Sequence, residues 1–154
     1  MCKIGTYKIL PTFKLIIEYY SGNINIDDLI HLKRVISLEQ DYNPTFTSLV
    51  DFRDAILNVD EKDLIKYLNF VKEYTKVFGH RNTVFLTSTP NDVVKTTLFS
   101  LIVESFNMPI SVKIYSTIEA VNCWINIEGI NENSLLSFLD ELKIQPDNVY
   151  SKYA

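Results

Sequence analysis

Ser48-Leu49-Val50-Asp51-Phe52-Arg53-Asp54 is the stretch whose reading decides the fold. A short apolar run ends there in three charges, with a helical pattern on either side of it in sequence. Such a run reads as a central strand of a parallel sheet, covered on both faces, with its C-terminal end opening at a surface crevice. Upstream, Ile26, Leu29, Ile30, Lys33 and Ile36 recur at helical spacing behind the N-cap candidate Asn25. Asp27 and Asp28 fall in the first turn, where the helix dipole favours carboxylates, and the helix should run to about Leu38. Earlier still, Leu15 to Tyr20 is rich in strand formers and ends at Ser21-Gly22, while Tyr7 to Leu10 is a short strand stopped by Pro11. The brief link between those two predicts a hairpin whose first strand is an antiparallel edge, a position that tolerates the proline.

Downstream, Ala55 to Val59 reads as a connection into a helix that starts near Asp60. Leu64, Leu68, Val71 and Thr75 form one face of it, Ile65 and Phe78 adjoin, and Gly79 suits a left-handed terminator. His80-Arg81-Asn82 reads as a turn and Thr83 to Thr87 as a buried strand. Thr89-Pro90-Asn91-Asp92 then announces a helix, with Thr89 as N-cap, Pro90 at the first helical position and Asp92 reaching back as in a capping box. Val93, Val94, Thr97, Leu98, Leu101, Ile102 and Ser105 carry its periodicity, and Asn107 and Pro109 close it. Ile110 to Tyr115 alternates as a strand. Ser116-Thr117-Ile118-Glu119 follows as a second capping box, opening a short helix through Val121, a packed Cys123, Trp124 and Ile125. Beyond Gly129 a last helix, Asn133 to Lys143, carries Leu135, Phe138, Leu139 and Leu142 on one stripe. The polar tail from Pro146 offers only Tyr150 and Tyr153 for docking. An edge strand, four strand–helix units and an extra helix define an α/β fold with a mainly parallel sheet of four to five strands.

The chain has 154 residues, which suits a single domain, and is 47% hydrophobic and 22% charged, with a formal net charge of -4. A mildly acidic chain without a dense basic run is a poor binder of nucleic acid or of anionic membranes. Cys2 and Cys123 are its 2 cysteines and it has 2 histidines, so neither a disulfide framework nor a metal site is expected, and no cofactor motif is present. Met1 to Thr6 lacks an apolar signal core, and no stretch approaches the roughly 20 apolar residues of a spanning helix. The expectation is a cytoplasmic protein without membrane insertion.

Polar groups gather at the predicted strand ends: Asp51, Arg53 and Asp54; Thr87, Ser88, Thr89 and Asn91; Ser116 and Thr117. They admit two readings. One is a small anionic or polar ligand held between helix N-termini, with Arg53 as its bidentate partner. In the other, Thr89 and Ser116 cap helices while Asp51, Arg53 and Asp54 knot together. Catalysis has little to stand on: no nucleophile elbow or glycine-rich loop occurs among 4 glycines, and His80 has no evident partner. Tyr7, Tyr19 and Tyr20 cluster near the hairpin and suit either an interface or the cover of a sheet face.

The segments Leu15-Ile16-Ile17-Glu18 with Ser21-Gly22, Asp27-Asp28-Leu29, Leu49 to Asp54, Leu86-Thr87-Ser88-Thr89-Pro90 and Tyr115 to Ala120 resemble the SpoIIAA-like group. These are small bacterial proteins related to STAS domains and more distantly to CRAL-TRIO lipid-binding domains. The resemblance covers about Tyr7 to Ile125, leaving the helix and tail of residues 131–154 outside it. It implies a βα superhelix of four turns and a binding role, and the expectation is a non-enzymatic module for protein–protein contact or regulation, with a homodimer as one form. A small polar or lipid-like ligand, at the strand-end crevice or beneath the last helix, is the alternative. In the sigma-factor-controlling branch a serine at the start of the helix after the central strand is phosphorylated. Val59-Asp60-Glu61-Lys62-Asp63 stands there in this chain and has no hydroxyl to modify.

Overall fold

A computed structural model describes residues 5–74 and 80–144. The chain runs β1 (Gly5–Leu10), β2 (Leu15–Ile24), α1 (Ile26–Ser37), β3 (Thr47–Leu57), α2 (Glu61–Tyr74), β4 (Arg81–Leu86), α3 (Pro90–Ser105), β5 (Ile110–Tyr115), α4 (Ile118–Ile125) and α5 (Glu132–Ile144). The 5 strands lie side by side in chain order. The hairpin partner β1 is the antiparallel edge, and β2 through β5 are parallel to one another. Both the edge hairpin and the central place of β3 agree with the sequence. Cys2, Thr75, Phe78, Gly79, Tyr150 and Tyr153 lie outside the described residues.

Strand alternation splits the core in two. Ile16, Tyr20, Val50, Phe52 and Phe85 face α1, α2 and α3. Leu15, Ile17, Leu49, Val84 and Leu86 face α4 and α5. Tyr19 and Tyr20 are both buried, one in each layer, and the hydroxyl of the half-buried Tyr7 donates to Glu39 Oε1. The hairpin tyrosines therefore cover sheet faces.

Several boundaries differ from the expectation. β2 does not end at Ser21-Gly22 and β3 does not end at Asp54. After a register shift between Tyr19 and Ser21, pairing resumes from Ser21↔Asp54 to Ile24↔Leu57. At the shift, Phe52 and Arg53 of β3 stand against the single Tyr20 of β2, and Gly22 just past it takes the left-handed conformation at φ 76°. Since β4 pairs with β3 only as far as Asp51↔Leu86, β2 and β3 project past it as a two-stranded ribbon. Arg81 is the first residue of β4 instead of a turn residue, paired with Ile110. In α4 the N-cap is Thr117, which accepts from the Ala120 N–H, so Ser116 and Glu119 form no capping box. Cys123 is exposed on that short helix and is not packed.

The largest revision concerns α3. Its buried residues are Asp92, Thr96, Phe99, Ile102 and Val103, whereas most of the periodic set read from the sequence faces outward. The helix is apolar on both sides, so periodicity alone does not choose the inner face. Phe99 chooses it, its ring meeting Phe85 edge-on at 5.7 Å and Tyr67 at 5.9 Å.

The last helix packs as its stripe predicts. Leu135, Leu139 and Leu142 are fully buried against the sheet, each contributing about 1.5–3 kcal/mol. The Thr6 hydroxyl also donates to the Leu142 carbonyl at 3.0 Å, tying α5 to β1. Leu139→Ala should therefore cost about 2–5 kcal/mol in urea unfolding. A loss under about 1 kcal/mol would mean that α5 unfolds separately from the sheet.

Candidate functional site

The strand-end rim is knotted. Asp51 is fully buried, and Arg53 closes a fork on it: Nε donates to Oδ1 at 3.0 Å and Nη2 to Oδ2 at 2.8 Å. The Arg53 backbone N–H adds a third donor at 3.0 Å. Hydrogen bonding to Asp51 pushes the guanidinium pKa up, outweighing partial burial. Asp54, exposed on the projecting ribbon, accepts from the Tyr19 hydroxyl at 2.7 Å, and Lys143 of α5 lies 3.7 Å from the same oxygen. Burial and then that bond to Asp54 raise the Tyr19 phenol pKa. The Ser88 hydroxyl donates to the Arg53 carbonyl at 2.9 Å.

The other predicted rim residues do not converge on a shared point. Thr89 and Thr117 cap α3 and α4, and Asn91 and Ser116 are exposed. Thr87 is buried, its hydroxyl without a partner among the described residues. Asp92 does not reach back to Thr89: both its carboxylate oxygens are buried without a partner among the described residues. Open α/β sheets set a crevice where the strand order reverses, and this order runs without a reversal. The helix start at Asp60 is likewise occupied, its Asp60 and Asp63 carboxylates each accepting the other's backbone N–H at 2.9 and 3.0 Å.

Charge is concentrated instead inside the core beneath α1, α2 and α3. Glu18 of β2, Lys33 of α1 and Arg81 of β4 are 1%, 3% and 4% exposed. Lys33 Nζ pairs with Glu18 Oε1, and the Tyr20 hydroxyl donates to Glu18 Oε2 at 2.9 Å. Arg81 Nη2 donates to the Ser48 hydroxyl at 2.7 Å, while its buried Nε has no acceptor among the described residues. All three charged residues line a cavity of about 70 Å³, whose remaining wall is mostly apolar and includes Val50, Phe52, Leu64, Phe85 and Phe99. Burial, reinforced by the Arg81 charge, pulls the Lys33 pKa down against the pull of Glu18. Tyr67, in the same wall, has its pKa raised by burial.

None of these three residues stands among the sites expected from sequence. Two of them left a signal. Glu18 interrupts the apolar run Leu15 to Tyr20, and Lys33 sits on the apolar stripe of α1. A charge where the pattern demands burial needs a buried counter-charge.

Five strands in simple order, helices on both faces and an antiparallel edge make this a SpoIIAA-like fold. The structure is similar to that of an uncharacterised protein from the DUF3478 family with a SpoIIAA-like fold from Shewanella loihica PV-4. The TM-score is 0.53 at 12% identity, over 81% of this chain and 96% of that one. No family model and no curated protein matches the sequence.

Two outcomes test the rim. Arg53→Ala strands a buried carboxylate and should lower the unfolding free energy by about 1–3 kcal/mol. An unchanged midpoint in chemical denaturation would show that Asp51 does not depend on it. The second test uses pH. Because the folded Tyr19 pKa lies above its unfolded value, the unfolded chain sheds that proton above about pH 10 while the folded chain keeps it, so stability falls as pH rises. Tyr19→Phe should make the decline above about pH 10 shallower in urea titrations. Tyr67 and Lys33 contribute to both proteins, so the difference in slope isolates Tyr19.

Proposed function

We propose that the protein is a cytoplasmic, STAS-related, non-enzymatic interaction module, a single unit over residues 1–154 that works by contact between folded surfaces. The observation that supports this is the outward face of α3, where Val94 is 62% and Leu101 57% exposed. Val93, one step round the helix, is exposed beside them. Aligned apolar side chains along a 16-residue helix are costly to leave in water and suit a helix-to-helix contact. A second copy of the chain is the simplest partner, because an antiparallel pair of α3 helices covers each strip with its own twin about a twofold axis.

A small polar or lipid-like ligand at the strand ends or beneath the last helix ranks second. It would have to break the Asp51–Arg53 and Asp54–Tyr19 bonds, or lift fully buried leucines of α5.

Sedimentation velocity tests the first reading. The wild type should sediment as a dimer at micromolar concentration, and Val94→Glu with Leu101→Glu as a monomer with an unchanged melting midpoint. A wild type that stays monomeric throughout the accessible concentration range would refute self-association through α3.

A further inference from the structure

The cavity beneath α1, α2 and α3 has a chemistry that packing does not explain. Two buried cations, Lys33 and Arg81, face one buried anion, Glu18. Glu18 is already engaged on both oxygens, by Lys33 and by Tyr20. The Arg81 guanidinium donates to Ser48, a neutral hydroxyl, and its buried Nε–H has no acceptor among the described residues. One carboxylate shared between two buried cations leaves the wall short of a negative charge, so an anion is the missing element. The other charged group in the wall, Lys95, is spent on the Val59 carbonyl at 2.6 Å.

The remaining wall constrains the anion further. A free inorganic ion would leave Val50, Phe52, Leu64, Phe85 and Phe99 facing nothing, whereas a hydrocarbon body fills that end. The volume of about 70 Å³ is roughly half of the 150 Å³ cavity that admits benzene in an engineered protein core. That leaves room for about two to four carbons. Leu29, Tyr67 and Ile110 of the wall are half-buried, which shortens the path from solvent.

We propose that this cavity is a binding site for a short-chain monocarboxylate, its carboxylate on Arg81 and Lys33 and its alkyl end against the phenylalanines. The site is separate from the outer face of α3 and does not depend on self-association. A two-oxygen anion suits an Arg fork better than a halide does, and the ion pair of Glu18 with Lys33 fixes the polar end in place.

The test is calorimetric and NMR titration of the full chain with acetate, propionate, butyrate, octanoate, propionamide and nitrate. Saturable binding is expected for the two- to four-carbon acids, with shifts at the Ser48, Arg81 and Thr83 amides. Octanoate and propionamide should bind at least tenfold more weakly, and nitrate should compete without matching propionate. Arg81→Lys keeps the charge but loses the fork, and should weaken propionate by about tenfold. Should that variant fail to fold, the chain-length and amide series on the wild type decides alone. Equal binding of propionate and propionamide, nitrate as the tightest ligand, or no saturable binding at millimolar acid would each overturn the proposal. The last outcome would mean that ordered water fills the cavity.

Discussion

The parallel pairing of β2 with β3 is the constraint on which the rest of the structure depends. A parallel pair cannot be closed by a tight turn; it needs a crossover, and both of its faces must be covered. α1 supplies the crossover, α2 and α3 extend the same layer, and α4 and α5 cover the back. The ladder is also where the two chemistries of the protein separate. Glu18 and Tyr20 project into the layer of three helices, while Tyr19 and Asp51 project toward α5. The register shift after Tyr19 then carries the pairing on to Ile24↔Leu57, and this lifts Arg53 and Asp54 beyond the ends of the shorter strands.

Two buried charge groups result, and they are built differently. At the rim, one fully buried carboxylate meets three donors of a single residue, leaving little capacity for anything else. In the cavity wall of the helical layer, the Arg81 Nε–H is left without an acceptor among the described residues. A closed set stabilises a strand end. An open set next to empty volume holds binding capacity in reserve.

Much of the architecture was legible because strand and helix periods alternate along the chain and because Asn25 and Thr89 announce their helices in side-chain chemistry. Boundaries at Ser21-Gly22 and Asp54 were misread for one reason: glycine and charge ordinarily stop a strand, and a bulge let both continue. The inner face of α3 was hidden because valine and leucine lie all round it, and only the partner rings of Phe85 and Tyr67 break the tie. The rim residues were visible as polar letters at strand ends, yet sequence could not show that Arg53 closes on Asp51 while Thr89 and Thr117 cap helices. The cavity charges were harder still. Glu18, Lys33 and Arg81 lie far apart in the chain, and only the register of three strands and the packing of α1 bring them together.

One feature of α3 reaches past either of its faces taken separately. Thr96 and Phe99 line the cavity on the inside, and Val94 and Leu101 meet the outside a turn or less away. A rigid helix cannot shift on one side and stay still on the other. An occupant within and a chain docked without would then share one coupling free energy, and linkage makes it reciprocal. Whatever factor the inner ligand imposes on outer association, association imposes the same factor on the ligand. The outer surface of α3 would in this way report the concentration of the inner ligand.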